Sequence, residues 1–308
     1  MDMLELNIAA YHQALLENQI TTEDLVAFYL DRIQHYDKAL SSIICVNPAA
    51  IALAKECDDQ LRTTGKLSGS LHGVPVLVKD NIETSDMPTT AGSLSLEGFR
   101  TGKDADLVKR LKAAGAIILA KTNLHEFAIW GESISSIKGQ TYNPYDLTRT
   151  PGGSSGGTGA ALAANFGLVG IGTDTINSIR SPSSANNLVG IRPTVGLVSD
   201  DGIVPYSLTQ DTAGPMARNV ADAVAVLKVI AVQDLPEVHV SDCQRIGVLR
   251  SFFGSEPINA EVNRVMAQTI AELSQAGAEI IEIDDRILIG ELVANISVHL
   301  YDPKAHLN

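Results

Sequence analysis

Two loops of small residues hold the side chains in this chain that could do chemistry. The first is Pro151-Gly152-Gly153-Ser154-Ser155-Gly156-Gly157, and the second is Gly172-Thr173-Asp174-Thr175-Ile176-Asn177-Ser178. Together they offer three serine hydroxyls, at Ser154, Ser155 and Ser178, and one carboxylate, at Asp174. Segments free of bulky side chains let main chain approach a ligand closely and can aim several N–H groups into one space.

Three kinds of site fit such loops. A phosphate cradle needs a lysine after the glycines, where a helix opens, and Gly157-Thr158-Gly159 has none. A flexible linker matches the glycine and serine content, but apolar flanks on both sides argue that the loop is packed. The third is a hydrolase site in which the serines act. The histidines, such as His72 and His239, show no spacing that supports a Ser/His/Asp arrangement. His125-Glu126 opens like a zinc-protease helix, yet the second histidine four residues on is replaced by Ile129.

The flanking elements must position these loops. Residues 158–164 are rich in helix formers, and residues 168–171 form a short apolar run suited to a buried strand. Residues 74–78 read as another buried strand, with Lys79 directly after it. Upstream, residues 4–18 have apolar positions at helical spacing, and Thr21-Thr22-Glu23-Asp24 opens a second helix in the manner of a capping box. Asn47-Pro48 suits an N-cap followed by proline at the first helical position, in a helix that runs to about Thr63, ahead of Gly65. Residues 104–113 form an amphipathic helix that turns at Gly115 into a strand at 117–120, the layered α/β pattern. Residues 200–202 and 209–215 read as loops or turns. Residues 218–230 read as a surface helix and 233–241 as a linker. A strand at 245–249, a helix at 259–275, Gly277 and a strand at 279–283 repeat the αβ pattern.

The chain has 308 residues, enough for one large or two small domains with a sizeable core. Hydrophobic residues make up 45% and charged residues 19%, as in a soluble globular α/β protein. A net charge of −13 disfavours a nucleic-acid surface. Cys45, Cys57 and Cys243 have no metal-knuckle spacing and suit small core or surface positions in a reducing compartment. The N-terminus lacks a basic region ahead of an apolar one, and no run is long enough to span a bilayer. A cytoplasmic protein without membrane contact is expected.

The loops belong to a longer series of marks. Gly172-Thr173-Asp174 follows the first loop, then Ser178-Ile179-Arg180-x-Pro182, then Gly190-x-Arg192-Pro193-Thr194. Upstream stands Gly73-Val74-Pro75-Val76-Leu77-Val78-Lys79-Asp80-Asn81. In these blocks the chain resembles the amidase signature family, from about residue 20 to about residue 227. The resemblance implies an α/β fold with an amidase-signature-like central mixed β-sheet sandwiched between helices. One domain would span residues 1–308, shortened at the C-terminus, with a weak subdivision near 233–241.

The resemblance also implies a reaction: hydrolysis of a carboxylic amide to acid plus ammonia or amine, without a cofactor, through an acyl-enzyme on Ser178. Ser154, preceded by a cis peptide, would bridge Ser178 to Lys79, the base. Backbone N–H groups of Thr175, Ile176, Asn177 and Ser178 would form the oxyanion hole. Gly153, Ser155, Asp174 and Arg180 would support the site, the last two by pairing to hold the loop. By residue type Ser155 rivals Ser154; Ser154 is preferred as the first serine after the glycine pair. The family commonly has Gly-Gly where Ile176-Asn177 stands. A β-branched residue tolerates positive φ poorly, so φ below zero is expected at Ile176. The expected partner is a small-molecule amide, with a homodimer as one assembly. Two alternatives stand beside this reading. One is a non-catalytic or truncated relative. The other is a glutaminase subunit of a tRNA-dependent amidotransferase, disfavoured because Ser181-Pro182-Ser183-Ser184-Ala185-Asn186-Asn187 lacks the Phe-Cys-Gly such subunits tend to carry.

Overall fold

Local signals start several elements where the sequence places them. Thr21 accepts a hydrogen bond from the Asp24 N–H while the Asp24 carboxylate accepts from the Thr21 N–H, closing a capping box ahead of a 19-residue helix. Gly65, at φ +66°, ends the next helix in the left-handed conformation. The computed structural model describes residues 2–237, 245–283 and 302. They divide into two compact units, the first of residues up to Asp234 together with Asp302, the second beginning at Leu235.

In the first unit the order is α1 (Ile8–Leu16), α2 (Thr22–Leu40), β1 (Ile43–Val46), α3 (Ala50–Thr64), β2 (Pro75–Lys79), α4 (Asp106–Ala113) and β3 (Ile117–Thr122). A short hairpin of β4 (Ile134–Ser135) and β5 (Gly139–Gln140) follows. Then come α5 (Gly156–Ala163), β6 (Val169–Asp174), α6 (Arg180–Ala185), β7 (Val189–Gly190), β8 (Thr212–Ala217) and α7 (Val220–Ile230). Six strands form one sheet in the order β1-β3-β2-β6-β8-β7. β2 runs parallel to β3 and to β6, whereas β1 against β3, β6 against β8 and β7 against β8 are antiparallel. The sheet is therefore central and mixed, with helices flanking it. Every residue of β2, β3, β6 and β8 is buried, as expected of strands covered on both faces. β2 and β6 are parallel neighbours at the middle of the sheet, so Lys79 and Asp174, their last residues, emerge at the same edge. The carboxyl ends of parallel strands are where open α/β sheets place their ligands.

Four local readings are corrected. Lys79 is the final residue of β2 rather than a residue beyond it. Gly172, Thr173 and Asp174 belong to β6, so the second loop begins only at Thr175. Thr212-Ala213-Gly214-Pro215 is strand, not turn. Its Gly214 faces Gly172 and its Pro215 faces Ile171 across the ladder; a Cβ at Gly214 would overlap the Ile191 carbonyl oxygen. There the glycine marks a close approach to the chain just past β7, not a bend. Finally, Asn47 does not cap α3: its Oδ1 accepts from the Ala49 N–H at 2.9 Å and its Nδ2 donates to the Ile118 carbonyl at 2.8 Å, so the helix starts at Ala50. The tertiary bond to β3 holds the asparagine in a turn.

In the second unit, β9 (Arg245–Leu249), α8 (Ala260–Gln275) and β10 (Glu279–Ile283) form a βαβ unit whose strands pair in parallel from Arg245↔Glu279 to Leu249↔Ile283. Gly277, at φ +99°, leads out of the helix. His239, Cys243 and residues 238–241 of the expected linker lie outside the described residues.

α5 packs on β2, β3 and β6, and Gly157 sets its distance. The Gly157 N–H donates to the Asn123 carbonyl at 3.1 Å, and a Cβ there would overlap that oxygen. Gly157→Ala is therefore expected to lower the unfolding free energy by about 1–3 kcal/mol. Urea denaturation measures it; an unchanged midpoint would show that α5 does not rest on Asn123.

Candidate active site

The end of β2 places a lysine where water cannot reach it. Lys79 is fully buried, and its Nζ donates to Ser154 Oγ at 2.8 Å, Thr173 Oγ1 at 2.8 Å and the Thr173 carbonyl at 3.3 Å. All three partners are uncharged oxygens. Burial drives its pKa down to about 7, against the opposing pull of Asp174 and Asp211. The adjacent carboxylate does not rescue the charge. Asp80, also buried, pairs with Lys121 of β3 at 3.0 Å and accepts from the Thr90 N–H at 2.9 Å. Of two buried lysines at one sheet edge, then, one has a carboxylate and the other has hydroxyls.

The first loop brings the hydroxyl. The Gly153–Ser154 peptide is cis. Ser133 supports the loop: its Oγ donates to the Gly152 carbonyl at 2.8 Å and accepts from the Gly156 N–H at 2.9 Å. The His125 N–H donates to the Ser154 carbonyl at 3.0 Å. The two serines have separate partners. Ser154 Oγ receives the Lys79 ammonium bond, whereas Ser155 Oγ donates to the Thr173 carbonyl at 3.1 Å and accepts from the Thr173 N–H at 3.3 Å. Ser155 fastens the loop to β6, a difference that residue type alone does not reveal.

The second loop is held by Asp174. Its buried carboxylate accepts from the Ile179 N–H at 3.0 Å, Arg180 Nε at 3.2 Å and Arg192 Nε at 3.1 Å. Arg180 also bonds the Ile176 carbonyl, and Arg192 Nη2 reaches the Gln210 carbonyl at 2.9 Å. At the loop's start Thr175 Oγ1 donates to Asp211, whose other oxygen accepts from the Tyr206 and Ser207 N–H groups at 2.8 and 2.9 Å. The two loops meet where the Ser155 N–H donates to the Ser178 carbonyl at 3.3 Å. Ser178 is 7% exposed, and its hydroxyl bonds no described residue. Ile176 and Asn177 are not among the non-glycine residues with positive φ. Among the described residues nothing accepts from the N–H groups of Thr175, Ile176, Asn177 and Ser178.

Lys79, Ser154, Ser155 and Thr173 thus form one bonded cluster, with Ser178 on the loop docked to it and Asp174 at the end of β6 and Arg180 at the start of α6 holding that loop at its two ends. Sequence reading assigned no task to Thr173, Arg192 or Asp211. Arg192 stood in a recognisable block, but nothing in the spacing of Thr173 or Asp211 signals their partners. The arrangement supplies an amine that loses its proton near neutrality, a hydroxyl bonded to it, and a second hydroxyl and a set of N–H donors that no described residue engages. Those are the parts that acyl transfer requires.

A family model described as Amidase matches residues 24–289. The chain belongs to the amidase family. In structure it is similar to the native peptide amidase of Stenotrophomonas maltophilia, with a TM-score of 0.87 and 40% identity over 99% of this chain and 67% of that one. It is also similar to a glutamyl-tRNA(Gln) amidotransferase subunit of Thermotoga maritima, with a TM-score of 0.80 and 27% identity over 99% of this chain and 66% of that one. In sequence it is 38% identical, over 286 residues, to the protein of that same name from Chlorobaculum tepidum, a match that covers 88% of this chain and 59% of that one.

The Lys79 amine is expected to titrate near pH 7 when followed by lysine ¹³Cε chemical shift. Because Asp211 favours the charged form, Asp211→Asn moves the midpoint down. A midpoint at the ordinary lysine value would mean that the amine is solvated.

Proposed function

We propose that the chain is a serine amidohydrolase that converts a carboxylic amide to an acid and ammonia or an amine through an acyl-enzyme on Ser178. The observation that carries this is the 2.8 Å bond between Ser154 Oγ and a lysine whose every partner is neutral. Neutral Lys79 takes the proton of Ser154 as Ser154 takes that of Ser178, and Ser178 Oγ attacks the amide carbon. The N–H groups of Thr175, Ile176, Asn177 and Ser178 receive the developing oxyanion. Ser154 returns a proton to the departing nitrogen, and water then cleaves the ester to release the acid and restore Ser178. Asp174, held by Arg180 and Arg192, keeps the loop in place, while Gly153 and Ser155 set the position of Ser154. The unengaged donors and the absence of positive φ at Ile176 support a competent loop despite the missing Gly-Gly pair, and weigh against a non-catalytic relative. Free thiols at Cys45 and Cys57 suit a reducing compartment, and we place the chain in the cytoplasm on that ground.

A second reading has its own support: curated relatives carry the name of a glutamyl-tRNA(Gln) amidotransferase subunit. Under it, the same chemistry would release ammonia from glutamine for a partner protein. We rank it second because Ser181-Pro182-Ser183 follows the nucleophile block. Glutamine hydrolysis that appears only when such a partner is added would reverse the ranking.

A fluorophosphonate probe is expected to label Ser178 in the parent chain and not in Ser178→Ala. Lys79→Ala should lower kcat by about 10²–10⁴-fold, the usual worth of a general base. Activity should rise as pH climbs through about 7, because Lys79 is protonated and idle below that value. A folded parent chain that takes no label would overturn the proposal.

A further inference from the structure

The segment at residues 125–133 is tied to the Ser154 loop at both ends. His125 bonds the Ser154 carbonyl, and Ser133 bonds both Gly152 and Gly156. Between these anchors the main chain of Gly131 lies so close to Gly153 that a Cβ on the latter would meet the Gly131 carbonyl carbon at 2.7 Å. Phe127, Ala128 and Ser133 hold positive φ values of 51°, 59° and 57°. L-residues avoid that region, so tertiary contacts fix the course of this segment.

The side chains presented between the anchors are apolar and open. Ile129 is 47% exposed and Trp130 67% exposed, beside a loop that is otherwise buried. The nucleophile loop adds Ile176, 51% exposed, two residues ahead of Ser178. None of the three side chains has a task in the chemistry above, where Ile176 takes part only through its N–H. Charged groups that might receive a charged substrate are engaged or of the wrong sign. Arg180 and Arg192 are bound to Asp174, and Glu132, next to Gly131, would repel a carboxylate.

We propose that Trp130 and Ile176 are specificity-determining residues that select amides with an apolar acyl group, aromatic or branched aliphatic, over glutamine and acetamide. This rests on the amidohydrolase reading. Trp130 is next to Gly131, whose main chain lies against Gly153 of the Ser154 loop, and Ile176 is two residues from Ser178, so both border the proposed site. Aromatic side chains offer a large contact area at low conformational cost, and apolar contact at this distance discriminates by size and shape rather than by charge.

Trp130 is the sole tryptophan of the chain, so intrinsic fluorescence reports on this residue without requiring turnover. Benzamide added to the full chain is expected to change the emission saturably and to lower acrylamide quenching about twofold by covering the indole, with acetamide doing neither. In kinetics, Trp130→Ala should raise KM for benzamide about tenfold, with kcat and acetamide hydrolysis little changed, and Ile176→Ala should raise KM for benzamide more than KM for acetamide. Equal losses on both amides, or emission indifferent to benzamide in a chain that labels at Ser178, would overturn the proposal. So would emission that follows protein concentration instead of amide, which assigns Trp130 to a contact between copies. An emission change in a chain that neither labels nor turns over would sustain the apolar subsite and remove the hydrolytic reading, so the two failures are distinct.

Discussion

The site depends on burying an amine without giving it a counter-charge. An ammonium transferred from water into a protein interior loses solvation worth several kcal/mol, and only a well-placed carboxylate offsets that loss. Lys121 has such a partner in Asp80, and Lys79 does not. The neighbouring carboxylate is turned away, and hydroxyls take its place. Lys79 answers by giving up its proton near neutrality, whereas Lys121 stands in an ion pair. Asp174 and Asp211 act through space in the opposite direction and keep the amine from becoming too weak a base.

Holding a neutral amine against two hydroxyls asks for short distances on every side. The middle of the sheet supplies them, because β2 and β6 are parallel neighbours that end at one edge. Thr173, on β6, reaches Lys79 with its side chain and Ser155 with its main chain. Asp174, the next residue, turns outward to the loop that carries Ser178. Two consecutive residues of one strand therefore serve Lys79 and the loop that carries Ser178. Alternation along a strand allows this, since successive side chains point to opposite sides.

The relatives are similar in fold but carry names of different reactions, a peptide amidase and a component of an amidotransferase. Amide hydrolysis needs the same proton path whatever the acyl group, so a shared fold does not choose a substrate. Under the proposed subsite the choice falls to exposed side chains such as Trp130 and Ile176, which stand outside the bonded cluster. That the chain spans 59% of a curated relative's length places part of the relatives' fold outside any comparison with this chain.

Sequence by itself determined the parts with short-range causes. The capping box at Thr21 and Asp24 involves residues three apart, and the apolar stretches that open β2, β3 and β6 mark them as buried strands, although the polar residues that end them are buried as well. The order of the motif blocks carried the family. Only the tertiary structure decided the rest. Ser154 and Ser155 are adjacent and alike, and they differ solely in what faces them: Lys79, 75 residues from Ser154, and Thr173, 18 residues from Ser155. Thr212-Ala213-Gly214-Pro215 has the local chemistry of a turn and becomes a strand because β6 and β7 close on it. Residue type and spacing act over a few positions along the chain, whereas burial and hydrogen-bond partners are set by segments that meet only after folding.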